Sequence, residues 1–308
     1  MKVLIAGGAG FLGSLLSEKL LAEGNEVVIL DNLRYGDKKN IPVGAQFIEE
    51  DARDQGTWKR IGKKMGKFDT VYQFAAPSSI ILFNNGLSTC MDNTITTFVN
   101  ALNFCVSNNC KLVYPSTGSL YSGVDGRQME DAYVDHDRLN SYAKGKFALE
   151  HIAFAYQTVI PILALRIFAT YGEREAHKGV FASVVHMFAN DILHDRKVTI
   201  FGDGTQERDF IYQDDVMDAI AALDNEAVGT YNIGAGYTTT FNEVIKTIED
   251  ILGKKAVVEY VDKPINYLET TKAEMYKAMF EFDKQKFDWN PKTPKEGIAK
   301  MLEAMKNE

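Results

Sequence analysis

A tyrosine and a lysine four residues apart form the pair in this sequence best suited to acid-base chemistry. Tyr142 and Lys146 lie in a stretch with a helical pattern, where residues four apart share one face. A lysine ammonium beside a phenol stabilises the phenolate and lowers the tyrosine pKa, so that the phenolate becomes a usable base at pH 7. The same spacing also arises on ordinary amphipathic helices, so it needs support from its surroundings.

That support comes from a hydroxyl at the end of a predicted strand. The apolar run 111–115 is followed by Ser116 and Thr117, and the helix with the tyrosine and lysine comes next along the chain. A hydroxyl at a strand end can hydrogen-bond the substrate oxygen that a tyrosine deprotonates. The sequence therefore predicts a catalytic group of Thr117, Tyr142 and Lys146.

A second motif predicts a dinucleotide site. Gly7, Gly10 and Gly13 stand between a predicted strand, 2–6, and a predicted helix, 11–23. In such a loop the first glycine makes the tight turn, the second lets the backbone approach a pyrophosphate, and the third lets helix and strand pack closely. The helix N-terminus adds N–H donors and a favourable dipole for the phosphates.

Acidic residues after the next two strands favour NAD as the cofactor. Asp31 ends the predicted strand 26–31, where its carboxylate can accept from ribose hydroxyls and repel a 2′-phosphate. NADP stays open, because the basic side chains just beyond could receive that phosphate; they are Arg34, Lys38 and Lys39. Asp51 follows the strand 45–49 and could reach the adenine amine, or be a solvated loop acid.

The elements that must position these residues alternate along the chain. The predicted strands are 2–6, 26–31, 45–49, 69–75, 111–115 and 161–167, and the predicted helices among them are 11–23, 92–108 and 141–157. Further helices are predicted near 180–194, 214–224, 241–253 and 294–306. This alternation predicts an α/β fold with a Rossmann-type, doubly wound parallel sheet. We expect residues 1–169 to form the dinucleotide-binding domain, with parts of 198–235 returning to it. Residues 170–308 are expected to form mainly a smaller α/β substrate-binding domain.

Composition narrows the class of protein. The net charge of −8 argues against a nucleic-acid partner, and no apolar stretch is long enough to suggest a membrane span. The three cysteines, Cys90, Cys105 and Cys110, form no C-x-x-C pair, which suits a reducing cytoplasm. The five histidines show no metal-ligand spacing, so no metal is expected.

Six segments together resemble the extended short-chain dehydrogenase/reductases that act on nucleotide sugars. They are GGAGFLG (7–13), DNL (31–33), YPSTGSLYSG (114–123), SYAKGKFALE (141–150), LRIFATYGERE (165–175) and FGDGTQERDFIYQDDV (201–216). The resemblance implies enzymatic function, NAD as cofactor and a Ser/Thr-Tyr-Lys triad at Thr117, Tyr142 and Lys146. It also implies an arginine for the sugar-nucleotide diphosphate at Arg208, and, by analogy, a homodimer.

Further contacts are predicted around these motifs. For the cofactor they are Phe11, Leu12, Asn32, Ala52, Phe74, Ala75, Ala76 and Asn93, with Tyr142 and Lys146. For the substrate they are Ser78, Ser79, Thr117, Arg174, Lys178 and Arg208. Asn93 corresponds to an asparagine at a helix start, where it could instead cap the helix, and Ser79 could equally cap a turn.

The reaction expected from the resemblance is epimerisation. Dehydratases and decarboxylases of this family carry acids just after the triad Ser/Thr, whereas this chain has Gly118 and Ser119 there. The cysteines are not placed as in reductase-epimerases. The cofactor half resembles UDP-hexose 4-epimerases, so 4-epimerisation of a UDP-hexose is the favoured reaction. The alternative is an ADP-heptose 6-epimerase, which the segment YGEREAHKGVFAS (171–183) resembles. In the latter, the lysine matching Lys178 is a second acid/base; here it could also be a surface or phosphate-binding lysine. A net nucleotide-sugar dehydrogenase or reductase remains a further alternative.

Overall fold

The computed structural model describes residues 1–124, 126–224, 226–263 and 267–306. The strands β1–β13 are, in chain order, Lys2–Ala6, Glu26–Leu30, Gln46–Ile48, Thr70–Gln73, Lys111–Thr117, Ile162–Ile167, Ala169–Tyr171, Lys197–Phe201, Glu207–Arg208, Phe210–Tyr212, Gly229–Ile233, Thr239–Thr240 and Val257–Val261. The helices α1–α10 are Phe11–Ala22, Gln55–Met65, Ile80–Asn85, Leu87–Asn108, Ser141–Phe154, Val184–Leu193, Gln213–Asp224, Phe241–Leu252, Tyr276–Lys284 and Pro294–Met305.

A seven-stranded sheet forms the centre of the Rossmann-type fold and has the order β11-β6-β5-β4-β1-β2-β3. Strand β1 pairs in parallel with β2 on one side and β4 on the other, and β2–β3 and β4–β5 are also parallel. The chain thus builds outward from β1 in one direction and then reverses at β4. In sheets of this kind ligands bind beyond the carboxyl ends of the strands at that reversal. Gly7 follows β1 and Phe74 follows β4, so both lie at this edge.

Two compact units divide the chain. Unit 1 comprises Met1–Thr117, Asn140–Arg166 and Leu223–Tyr231, and unit 2 comprises Gly118–Leu139, Ile167–Ala222 and Asn232–Glu308. Unit 1 has its own apolar core around Leu4, Val28, Val71, Phe98 and Leu112. Leu4, Val28 and Val71 belong to β1, β2 and β4. In each of these strands every residue after the first is buried, as expected for strands covered on both faces.

Unit 2 has a separate core, which includes Phe188, Ile200, Phe210, Val244 and Met301. Its strands form small two-stranded sheets, among them β8 paired in parallel with β13 and β10 paired in parallel with β7. Unit 2 contains about as many residues as unit 1, whereas the sequence predicted a smaller domain.

The sequence misplaced some elements. It missed the helices α2, α3 and α9, and it began α4 at residue 92, whereas the helix starts at Leu87. The first turns of α4 are rich in serine, threonine and asparagine, which are weak helix formers and obscure the pattern. Throughout the described residues, no helix is both long enough and apolar enough to cross a membrane.

Candidate active site

The glycine loop between β1 and α1 closes tightly on the end of β4. Gly7 has φ +83°, and a Cβ there would lie 2.6 Å from the Ala75 nitrogen and the Phe74 carbonyl carbon. A Cβ at Gly13 would lie 2.1 Å from the Gly7 carbonyl oxygen. Helix α1 begins at Phe11 with no side chain capping its N-terminus. The N–H groups of its first turn, including that of Leu12, are therefore not occupied by a side-chain cap. In this fold a pyrophosphate binds at that helix end.

The Asp31 carboxylate is held beside this loop. It accepts hydrogen bonds from the backbone N–H groups of Ala9, at 3.0 Å, and Leu33, at 2.8 Å. The first bond ties the end of β2 to the glycine loop, and the second closes a turn in which Leu33 has φ +56°. The carboxylate is thus fixed at the strand end where the sequence predicted a ribose contact.

A second acid lies next to this turn. The Asp51 carboxylate forms an ion pair with Arg53 at 2.7 Å and a hydrogen bond with Asn32. The arginine holds the pKa of Asp51 below its usual value, so the side chain stays ionised. The Ala52 carbonyl accepts from the indole N–H of Trp58 at 2.8 Å, which fixes the segment after β3. Three of the predicted cofactor contacts, Asn32, Asp51 and Ala52, are therefore close together.

The segment after β4 is tied to α4. The Thr97 hydroxyl lies 2.9 Å from the Ala75 carbonyl oxygen and 2.7 Å from that of Asn93. Asn93 is buried within α4, so the prediction that it lies at a helix start, and could cap it, is wrong because α4 begins at Leu87. Its contact with the cofactor remains a prediction, as do those of Phe74, Ala75 and Ala76.

The two serines after this segment differ. Ser79 accepts a hydrogen bond from the Ile81 N–H at 3.2 Å and caps α3. Ser78 is exposed. Capping accounts for Ser79 without any contact to substrate, and the predicted substrate contacts of both serines remain predictions.

The predicted triad comes together in unit 1. Thr117 is the last residue of β5, and its hydroxyl forms a hydrogen bond with that of Tyr142 in the first turn of α5. Lys146 lies one turn further along α5, with Nζ 6.0 Å from the centre of the Tyr142 ring. The lysine donates to the Pro115 carbonyl oxygen at 2.9 Å. Phe83 packs edge-on against the tyrosine, with ring centres 5.6 Å apart.

Burial sets the electrostatics of this pair. It raises the pKa of Tyr142 to about 12, with the bond to Thr117 acting in the opposite direction. It lowers the pKa of Lys146, which is 4% exposed, to about 8. Within the described residues, the acceptor of the Lys146 ammonium is a neutral carbonyl, so its positive charge is not matched by a carboxylate bond. A second positive charge near the phenol, such as an oxidised nicotinamide, would lower the tyrosine pKa further.

The substrate residues predicted from the second half of the chain lie in unit 2. Lys178 forms an ion pair at 2.7 Å with Glu175, whose side chain is fully buried. That carboxylate also accepts from the Ser183 N–H at 2.8 Å and hydroxyl at 2.6 Å. Lys178 and Arg174 share one 3₁₀ segment, 173–181, which turns sharply at Gly179. The acid partner of Lys178 was not foreseen from the sequence.

Arg208 is held in a fixed orientation on β9. Its guanidinium donates to the backbone carbonyls of Glu207 at 2.7 Å and Glu269 at 2.9 Å, and to that of Leu268. It also lies over the rings of Phe241 and Tyr267, 5.5 and 5.6 Å from their centres. Carbonyl partners orient an arginine but leave its charge in place for an anion.

The chain matches the sequence model of a protein family in which these features are expected. A sequence model described as the NAD dependent epimerase/dehydratase family matches residues 3–234. The chain belongs to this family. This confirms four predictions: the family, the Rossmann-type fold, an enzyme of the epimerase group, and NAD as the cofactor. The glycine cradle, the uncapped start of α1 and the fixed Asp31 are the features of unit 1 that fit that cofactor.

Three members of the family illustrate its range. A protein of Methanocaldococcus jannaschii, provisionally named UDP-glucose 4-epimerase, is 32% identical over 99% of this chain and 98% of its own. ADP-L-glycero-D-manno-heptose-6-epimerase of Alkalilimnicola ehrlichii is 30% identical over 85% of this chain and 84% of its own. The structure of Thermotoga maritima UDP-glucose 4-epimerase, crystallised with UDP-glucose, is similar to this structure with a TM-score of 0.90 and 27% sequence identity. The match covers 100% of this chain and 99% of the Thermotoga chain.

A buried network behind the family's Tyr-Lys pair was missed by sequence reasoning. Glu150, one turn after Lys146, accepts from the Ser116 hydroxyl at 2.5 Å and from Arg166 at 2.7 and 3.0 Å. The available signal was the continuation of the four-residue spacing from Tyr142 through Lys146 to Glu150. The described residues hold no cluster of three or more potential metal ligands.

Proposed function

We propose that this member of the family is a nucleotide-sugar epimerase that inverts C4 of a UDP-hexose and keeps its NAD bound. The glycine loop and Asp31 would hold NAD, which would supply hydride acceptance from the sugar carbinol and hydride return to the opposite face. Tyr142, as phenolate, accepts the carbinol proton, and Thr117 donates to the same oxygen. Lys146 stabilises the phenolate through its unmatched positive charge. Tyr142 would then donate the proton back to the same oxygen.

The observation that carries the choice of reaction is the environment of Gly118. A Cβ at this position would lie 2.9 Å from the ring of Phe168. That ring is itself held by stacking on Tyr121, with centres 5.9 Å apart, and Tyr121 is buried and bonded to Asn232 at 2.7 Å. An acidic side chain therefore has no room at residue 118, the first of the two positions where dehydratases and decarboxylases of the family carry acids, and Ser119 provides no acid at the second. Epimerisation needs no such acid, because it forms no leaving group.

The relatives support a UDP-hexose as substrate. The Methanocaldococcus and Thermotoga proteins, which match nearly the whole chain, are both named for UDP-glucose. We propose that Arg208 binds the diphosphate, since its guanidinium is oriented by carbonyls and retains its charge. ADP-heptose 6-epimerisation is the second candidate. It is favoured by the Alkalilimnicola relative and by the segment 171–183, in which Lys178 would act as a further acid/base.

We also propose roles for the two units and for the assembly. Unit 1 holds NAD and the catalytic triad, and unit 2 holds the nucleotide sugar. The helices α4 and α5 pack together in unit 1, and exposed apolar residues at Leu87 and Phe154 support a homodimer formed through these helices. Light scattering at several concentrations would test that assembly. The three buried, unbridged cysteines support a cytoplasmic location.

The test is to incubate the purified chain with UDP-glucose, without added cofactor, and to follow the anomeric protons by NMR. UDP-galactose at an equilibrium ratio would support 4-epimerisation with retained NAD. The Tyr142→Phe variant is the control and should form none. No change with UDP-glucose would overturn this assignment, and conversion of ADP-heptose, abolished by Lys178→Met, would establish the second candidate. Stoichiometric release of NADH would instead identify a net dehydrogenase.

A further inference from the structure

The catalytic helix is joined to the end of β5 by three successive contacts. Tyr142, Lys146 and Glu150 follow one another at four-residue spacing along one face of α5. Their partners are consecutive residues of β5: the tyrosine bonds Thr117, the lysine bonds the Pro115 carbonyl, and the glutamate accepts from Ser116. The first two contacts belong to the proposed chemistry, whereas the third involves no residue that takes part in it.

The third contact extends to the neighbouring strand. Arg166 on β6 donates from Nη2 and Nε to the two oxygens of Glu150, at 2.7 and 3.0 Å. The side chains of Glu150 and Arg166 are 10% and 5% exposed. Because β5 and β6 are adjacent in the sheet, the carboxylate ties α5 to two strands at once. We call Ser116, Glu150 and Arg166 the Glu150 network.

Stability alone does not account for such a network. Desolvating two charges offsets most of their attraction, and replacing a buried ion pair by apolar residues of similar volume is often neutral or stabilising. A geometric function accounts for it better. The network ends one residue before Thr117 and one helical turn after Lys146, so a shift of α5 along β5 must break it.

The balance of charges around Lys146 also supports a geometric function of the Glu150 network. The Glu150 carboxylate lies one turn from Lys146, and an unmatched negative charge there would oppose formation of the Tyr142 phenolate. Arg166 matches that charge, so the lysine ammonium remains the uncompensated charge on this face of α5. The network can therefore anchor the helix without weakening the lysine.

We propose that Glu150 and Arg166 are positioning residues, which hold α5 in the register that sets Tyr142 against Thr117 and Lys146 against Pro115. This inference rests on the proposed function, in which Tyr142 is the base. It assigns no contact with substrate or cofactor to either residue.

The experiment replaces the pair together, as Glu150→Leu/Arg166→Met, so that the net charge near the tyrosine does not change. In the NAD-bound protein the phenolate of Tyr142 is titrated by its ultraviolet absorbance, as the difference from a matched Tyr142→Phe protein. We expect the pKa of Tyr142 to rise and kcat to fall about 10- to 100-fold, since small misplacements have effects of that size. KM for the nucleotide sugar and the unfolding midpoint should stay close to wild type.

The chain offers a matched control. Thr57, Glu50 and Arg60 form a similar network, with the Thr57 hydroxyl 2.8 Å and the Arg60 Nε 3.2 Å from the Glu50 carboxylate, and Arg60 also reaches Asp54 at 3.1 Å. There the charged side chains are 38% and 58% exposed, and the network lies on α2 and the segment before it. The variant Glu50→Leu/Arg60→Met should leave kcat and the Tyr142 titration unchanged.

Each outcome decides the proposal. A stable double variant with the wild-type titration and kcat would overturn it, as would a loss of stability with an unchanged titration of the folded protein. If the double variant does not fold, Ser116→Ala removes one uncharged contact and should raise the Tyr142 pKa in the same direction. Should wild type convert no nucleotide sugar, the proposed function fails on that result alone, while the phenolate titration still tests the positioning role.

Discussion

The two lysines considered for catalysis, Lys146 in unit 1 and Lys178 in unit 2, are both largely buried but have opposite electrostatic surroundings. The ammonium of Lys146 donates to a neutral carbonyl at 2.9 Å, and burial lowers its pKa to about 8. The ammonium of Lys178 lies 2.7 Å from Glu175, a carboxylate with no solvent exposure. Among the described residues, Lys146 is a buried cation without a bonded counter-ion, whereas Lys178 forms an ion pair with a buried acid.

This difference distinguishes a lysine that acts in catalysis from a lysine that stabilises the fold. A buried cation without a counter-ion costs stability and persists where its charge is used, as in stabilising a phenolate. A lysine that neutralises a buried acid stabilises the fold, because removing it leaves a charged group unpaired. We therefore expect Lys146 to matter most for turnover and Lys178 most for stability.

The largest expected effect is that of Tyr142→Phe. Removing the hydroxyl removes the base and returning acid, so kcat should fall about 10²- to 10⁴-fold. NAD retention, measured by the absorbance of cofactor released on denaturation, should persist because the ring still packs against Phe83. Turnover within tenfold of wild type would show that another group is the base.

The lysine comparison itself predicts unequal losses of activity. Lys146→Met should reduce kcat about 100-fold, since the phenolate loses its stabilising charge. Lys178→Met should reduce it less than about tenfold, because the proton of that lysine is engaged with Glu175. Initial rates at saturating UDP-glucose measure both. A larger loss for Lys178→Met would reverse the roles and favour the heptose-type mechanism.

A smaller effect is expected at Arg208. Arg208→Lys keeps the charge but loses the planar donor fork and the stacking on Phe241 and Tyr267. We expect KM to rise about tenfold with kcat little changed, since the diphosphate is bound alike in ground and transition states. A fall in kcat at constant KM would place this arginine in the chemical step.

Stability should also depend on pH. The pKa of Lys146 is about 8 in the folded chain and 10.5 ordinarily. Between pH 8 and pH 10.5 the unfolded chain binds more protons than the folded chain. The presence of Lys146 lowers the free energy of unfolding by about 3 kcal/mol at neutral pH, and this destabilisation therefore decreases as the pH rises. The stability gap between unliganded wild type and Lys146→Met should narrow from pH 8 to 10.5 in urea unfolding. A constant gap would show that Lys146 is not desolvated.

Sequence patterns predicted unit 1 better than unit 2. The glycine loop, Asp31 and the Tyr142–Lys146 spacing involve residues close in sequence or at strand ends, where local rules apply. The carbonyls of Leu268 and Glu269, which accept from Arg208, lie about sixty residues away in a segment whose course no periodicity reveals. Glu175 is only three residues from Lys178, but both lie in an irregular 3₁₀ segment to which α-helical spacing rules do not apply. The contact between Gly118 and Phe168 likewise depends on segments fifty residues apart.

Missed elements have similar causes. Helix α3 is six residues long, too short for a helical period to emerge, and is recognisable from its Ser79 cap. Helix α4 extends before residue 92 because the chain there packs against α3 and α5, so tertiary contacts outweigh weak propensity. The Glu150 network was visible only as a spacing, since nothing in the sequence identifies Arg166 as its partner.

The role of Lys146 as the unmatched cation is tested most directly by urea unfolding of unliganded wild type, Lys146→Met and Lys178→Met at pH 7. We predict that Lys146→Met is more stable than wild type by about 3 kcal/mol, because a desolvated charge is removed. Lys178→Met should be less stable by about 2 kcal/mol, because Glu175 loses its cation. If both variants lose stability by similar amounts, the ammonium of Lys146 is compensated in the folded protein, and the distinction between the two lysines is wrong.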